Sequence, residues 1–165
     1  MKFVNMTEHP IVIRTDIVPD GTKDTRYQPL DSDITFAPSG WTCRVSQVRG
    51  KHIRTDHEGI QFFARPAFGN VIFYQTDASG KPIKETETEY LPREVSGAND
   101  DSPTCYIVSS MVAQAITAQV TVWAIEGLFV APGTGPADNA IKFPPTWPDA
   151  TRRGHVVAAT CFIQY

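Results

Sequence analysis

Signatures that would name a chemistry are missing from this chain. It has no CxxC pair, no HExxH or HxH spacing, no glycine-rich loop ending in lysine and no GxSxG turn. These absences remove zinc ribbons and thioredoxin-like redox centres, zincin metal sites, P-loop nucleotide hydrolysis and the serine-hydrolase elbow. Surplus positive charge is missing too. Fifteen Lys and Arg against eighteen Asp and Glu leave a net charge of −3, which gives no bulk attraction to nucleic acid or to an acidic membrane. Cysteines are few: Cys43, Cys105 and Cys161 are scattered, odd in number and partly inside apolar runs. That suits buried thiols in a reducing cytoplasm better than a secreted disulfide framework. The N-terminal MKFVNMTEHP lacks the apolar stretch of a signal peptide. The one long uncharged stretch, Cys105 to Ile125, carries Ser109, Ser110, Gln114, Thr117, Gln119 and Thr121. A span needs ~20 predominantly apolar residues, so this stretch is expected to break into strand, helix and strand inside the core.

What remains is an ordinary soluble composition, 41% apolar and 20% charged over 165 residues, enough for one domain spanning 1–165 with its own core. Strand patterns dominate. IVIRTDIV is β-branched, DITFAP stops at Pro38-Ser39-Gly40, and WTCRVSQVR alternates with Trp41, Cys43 and Val45 on one face. GIQFFARP and NVIFYQT are aromatic and β-rich. The polar turn at TDASGKPI should join NVIFYQT to KETETE as a hairpin, with KETETE as an exposed, charged edge strand. SGANDDSP, APGTGPADN and TWPDATRRG read as loops, and GHVVAATCFIQY as a closing strand. The alanine-rich run favours a helix at about 110–118, with Met111, Ala115 and Ala118 on one face. The expected fold is α+β and mainly antiparallel: one sheet or a partly closed barrel with a single short helix packed on it.

Four polar pieces are candidates for a site. In NMTEHP, Asn5, Thr7 and His9 crowd together, His9 being either a base or ligand contact or simply a hydrogen-bonded structural histidine. Arg44 stands between the hydroxyls of Thr42 and Ser46, a setting that can hold a phosphate through two N–H groups. Ser109 and Ser110 precede the helix, where N–H groups and the macrodipole favour anions. A serine there equally serves as the N-cap alone. In PGTGP, glycines flank Thr134, and Thr134 with Gly135 could form a backbone nest or only a turn.

Taken together, Asn5-Met6-Thr7-Glu8-His9, Pro38-Ser39-Gly40 with Arg44, Tyr106-Ile107-Val108-Ser109-Ser110 with Val112-Ala113-Gln114-Ala115, and Pro132-Gly133-Thr134-Gly135-Pro136 resemble a set of small uncharacterised proteins of bacteriophages and some bacteria that open with Asn-Leu-Thr-Pro-His. The chain departs from that pattern with Glu8 in place of proline and Gly133 in place of aspartate. It also lacks an Arg-x-Asp after the helix and carries the longer TWPDATRRG loop. The resemblance implies phage association and no mechanism.

The candidate residues are rich in donors and poor in carboxylates. That suits holding a small anionic or nucleotide-like ligand in the cytoplasm, in one pocket or at the interface of a homo-oligomer, without cofactor, metal or chemistry. A phage protein of that kind would sequester a host immune signalling nucleotide, by analogy of class. Two alternatives stand beside it: a minor virion component packing through its aromatic strands, and a small hydrolase using His9.

Overall fold

The computed structural model describes residues 1–15, 25–48, 50–65, 67–96, 103–119, 128–133 and 140–164. In chain order the first strands are β1 (Lys2–Asn5), β2 (Ile11–Ile13), β3 (Ile34–Phe36), β4 (Trp41–Val48), β5 (His52–Thr55), β6 (Gln61–Phe63) and β7 (Ala67–Gln75). After them come β8 (Thr104–Ile107), helix α1 (Ser110–Ala118), β9 (Leu128–Pro132), β10 (Ala140–Lys142), β11 (Val156–Ala159) and β12 (Phe162–Gln164). The class is the expected α+β with a single helix among the described residues. The described strands divide among four sheets and close no barrel.

The central sheet runs β1-β8-β9-β12. β1, β8 and β9 are parallel, and β12 is antiparallel to β9. Parallel neighbours need a crossover, and α1 lies between β8 and β9 in the chain. β8 is buried along its whole length, and its alternation sends side chains to two cores. Tyr106 joins Val4, Met6, Cys43, Phe73 and the buried face of α1, while Cys105 and Ile107 pack with Val130 and Phe36. The Tyr106 and Phe129 rings stack at 5.1 Å within the first core. The helix buries Val112, Ala113, Ala115 and Ile116, and Met111 is 44% exposed. The buried face is thus turned from the Met111–Ala115–Ala118 stripe, because the larger branched side chains take the core side.

A second sheet runs β10-β11-β2-β3, and directly after β2 stands Arg14, the most deeply buried charge among the described residues. Arg14 is 2% exposed. Its Nε and Nη2 donate to the two Asp33 carboxylate oxygens at 2.7 Å each, and Nη1 and Nη2 donate to the carbonyls of Arg26 and Gln28. Fork-to-fork pairing of this kind lets a guanidinium be buried.

Two expectations change. KETETE is not an edge strand: Lys84–Thr86 is a 3₁₀ turn, with Thr88 bridging Phe73 beyond it. Thr86 explains it, because its hydroxyl donates to the Ile83 carbonyl at 2.6 Å and accepts from Gln75 N at 2.8 Å. A side chain thereby takes the place of a ladder bond. The closing run is two strands in different sheets, β11 and β12, separated at Thr160–Cys161.

Candidate functional site

The turn after β1 is built by one amide. Asn5 is 2% exposed. Its Nδ2 donates to the carbonyls of His9 and Phe36 at 2.9 Å each, and its Oδ1 accepts from Thr7 N at 3.0 Å and lies 2.7 Å from Thr7 Oγ1. Two donors and two acceptor sites exhaust an asparagine side chain. Asn5 therefore shapes the bend from beneath and has no group left to offer a ligand. What the bend presents to solvent is Thr7, Glu8 and His9.

β4 crosses behind this bend. The buried Thr42 hydroxyl and the Cys43 N–H both donate to the Met6 carbonyl at 3.3 Å, locking the two segments together. Strand alternation then sends Arg44 outward beside Glu8. Its Nε donates to Glu8 Oε1 at 3.1 Å, and its Nη2 donates to the same oxygen. The pair lies in the open, with the Arg44 side chain 56% exposed and that of Glu8 27%. Burial pushes the thiol of Cys43 up to about 12, so the wall beneath the pair carries no thiolate.

The third segment is the start of α1. Ser109 is its N-cap and accepts from Val112 N at 3.3 Å, which leaves its hydroxyl hydrogen for a partner outside the helix. Thr7, Glu8, His9, Arg44 and Ser109 surround one concavity of about 220 Å³, floored by Met6, Thr42 and Cys43. Ser110 is the first helical residue and does not line this concavity. Thr134 and Gly135 lie outside the described residues, so the PGTGP nest has no structural description here.

A larger cleft adjoins. β2 and β11 run parallel but share a single residue pair, Ala159 with Ile13, reinforced by Arg14 N donating to the Ala159 carbonyl at 2.8 Å. Toward their beginnings the strands splay, and a cleft of about 430 Å³ opens between Ile11–Val12 and Val156–Ala158. Its lining is mainly aliphatic, with His155 and Pro132 also on the wall. His9 lines both this cleft and the smaller concavity.

Glu8 is the site residue that the sequence did not reveal. It supplies the carboxylate that the donor-rich reading lacked, and it makes the concavity neutral rather than cationic. Asn5 followed by Thr7 signals a side-chain-capped turn whose tip is residue 8. Nothing local announces a partner 36 positions away. Among the described residues, no three of His, Cys, Asp and Glu gather as metal ligands would. No described helix is long and apolar enough to cross a membrane. Comparison of the chain with protein families, curated proteins and solved structures returns no match.

Proposed function

We propose that the protein binds, without chemical conversion, a small nucleotide-like anion at the concavity formed by Thr7, His9, Arg44 and Ser109. The supporting observation is convergence. The Ser109 hydroxyl, an imidazole and a guanidinium from three distant segments meet around about 220 Å³, at the N-terminus of α1, beside the Thr7 hydroxyl, whose hydrogen is directed within the bend to Asn5 Oδ1 or the His9 carbonyl. The Glu8–Arg44 pair does not bar an anion. Exposed ion pairs are worth about 0–1 kcal/mol, so a phosphate able to engage two N–H groups of Arg44 exchanges with Glu8 at small cost. The aliphatic cleft beyond His9 has the size of a small-molecule site and suits the ring system of such a ligand better than bare phosphate. In a phage-infected cell, such a protein would act by sequestering a signalling nucleotide in the host cytoplasm.

A thermal-shift panel of nucleoside mono-, di- and triphosphates and cyclic nucleotides tests this, followed by mass spectrometry of the ligand released from denatured protein. Binding to the native state alone raises the melting temperature with ligand concentration, and the ligand is recovered intact. No shift with any member, or recovery of a hydrolysed product, contradicts the proposal. A second reading, an assembly component of a phage particle, draws on one observation: the hairpin of β5 and β6 exposes Ile53, Ile60, Phe62 and Phe63.

A further inference from the structure

The hairpin formed by β5 and β6 is well made, yet its strands stay exposed. Its strands pair through His52 with Phe63, Arg54 with Phe62 and Thr55 with Gln61. Its turn is held by Asp56, whose Oδ1 accepts from Glu58 N and Ile60 N at 2.9 and 2.8 Å. Gly59 takes the positive φ of 84° that the turn requires. Every residue of both strands is nevertheless exposed. Ile53 is 65% exposed, Ile60 52%, and Phe62 and Phe63 38% each. Within the hairpin, the Arg54 guanidinium lies over the Phe62 ring at 4.7 Å and the His52 ring meets the Phe63 ring edge-on at 5.4 Å. An isolated two-stranded hairpin is marginal in water, and apolar residues concentrated on one mark a contact surface.

We infer that this arm is the dimerisation element of the protein, and that its occupant is the same arm of a second copy. The charge pattern along the arm favours a second copy over a foreign partner. The tip carries Asp56 and Glu58, and the root carries Lys51 and Arg65. Among the described residues, neither Lys51 nor Arg65 has an ion-pair partner. Four residues of strand separate root from tip by roughly 13 Å. Two arms laid antiparallel about a two-fold axis put each acidic tip on the other's basic root, while Ile53, Ile60 and Phe62 close against their counterparts. Such an interface is isologous and closed, as a two-fold dimer requires. The arm contributes no residue to the ligand concavity, so the inference stands apart from the ligand.

Sedimentation velocity on the full chain and two charge variants tests it. Asp56→Asn with Glu58→Lys reverses the tip while keeping the oxygen that holds the turn, and Lys51→Glu with Arg65→Glu reverses the root. The wild type is expected to be a dimer, and each variant alone to dissociate about tenfold more readily or worse, from like charges opposed at the interface. An equimolar mixture of the two variants should return to dimer. In the wild type, without any substitution, amide exchange across residues 52–63 should slow as protein concentration rises. A wild type that stays monomeric throughout its soluble range overturns the inference, including when the arm then captures another macromolecule. So does a dimer indifferent to both charge reversals, or amide exchange independent of concentration.

Discussion

Glu8 occupies the guanidinium of Arg44 across the mouth of the concavity, so the one cation there already has an anion of its own chain beside it. Under the proposed function, a ligand anion would enter by exchange, not by filling an empty cationic site. On that proposal, selectivity would depend on what a ligand offers beyond one negative charge: a second oxygen for Arg44, an acceptor for Ser109 and a body for the cleft beyond His9.

The bend that presents Glu8 rests on Asn5, and Asn5→Ala removes four hydrogen-bonding positions at once. The carbonyl of the half-buried Phe36 is then left without this donor, and the His9 carbonyl and Thr7 N–H lose their partner as well. Each such bond is worth about 0.5–1.5 kcal/mol, so a loss of about 1–3 kcal/mol is expected in urea denaturation. Thr7→Val, which keeps the backbone N–H bond to Asn5, should cost less. Equal losses would place the strength of the bend elsewhere.

Acid sensitivity should reside in Asp33. The hydrogen bonds from Arg14 hold its carboxyl below the ordinary value, against burial that raises it, with Leu30 N helping. In the unfolded chain this carboxyl titrates near ~3.9, so between the folded and unfolded values the unfolded state binds the extra proton. The contribution is complete above the unfolded value and is lost as pH falls through the folded one. Asp33→Asn should lower stability by about 3–5 kcal/mol at neutral pH, because it leaves Arg14 buried and unpaired. It should also flatten the fall in stability below pH ~4. An unchanged pH profile in denaturant melts would contradict this assignment.

Thiol reactivity should follow burial. Cys43 and Cys105 are buried with thiols pushed up by desolvation, and Cys161 is half-buried. A disulfide reagent should therefore modify Cys161 first in the native protein and reach the other two only on unfolding. Rapid reaction of all three thiols would show a looser core than the structure has.

Local chemistry made much of the fold legible. The alanine run and the serine before it marked α1 and its cap, and the alternation Trp41-Thr42-Cys43 marked β4. Illegible features depend on distant partners. Arg14 looks like an ordinary strand charge until Asp33, Arg26 and Gln28 close around it. KETETE has strand composition, and a threonine hydroxyl diverts it into a turn. VVAATCFIQ is one apolar run that two sheets divide. At the site, Thr7, His9, Arg44 and Ser109 were readable as donors, whereas Asn5 turned out to be scaffold. Glu8 acquired meaning only once Arg44 was beside it.

Isothermal titration of a nucleoside monophosphate into the wild type, Glu8→Gln and Arg44→Ala tests the exchange most directly. Removing the competing carboxylate should tighten binding by about two- to fivefold, the worth of an exposed ion pair, while removing the guanidinium should abolish it. Both variants should melt close to the wild type. Identical affinities in all three proteins would mean that the anion is held somewhere other than at Arg44, and would contradict the account.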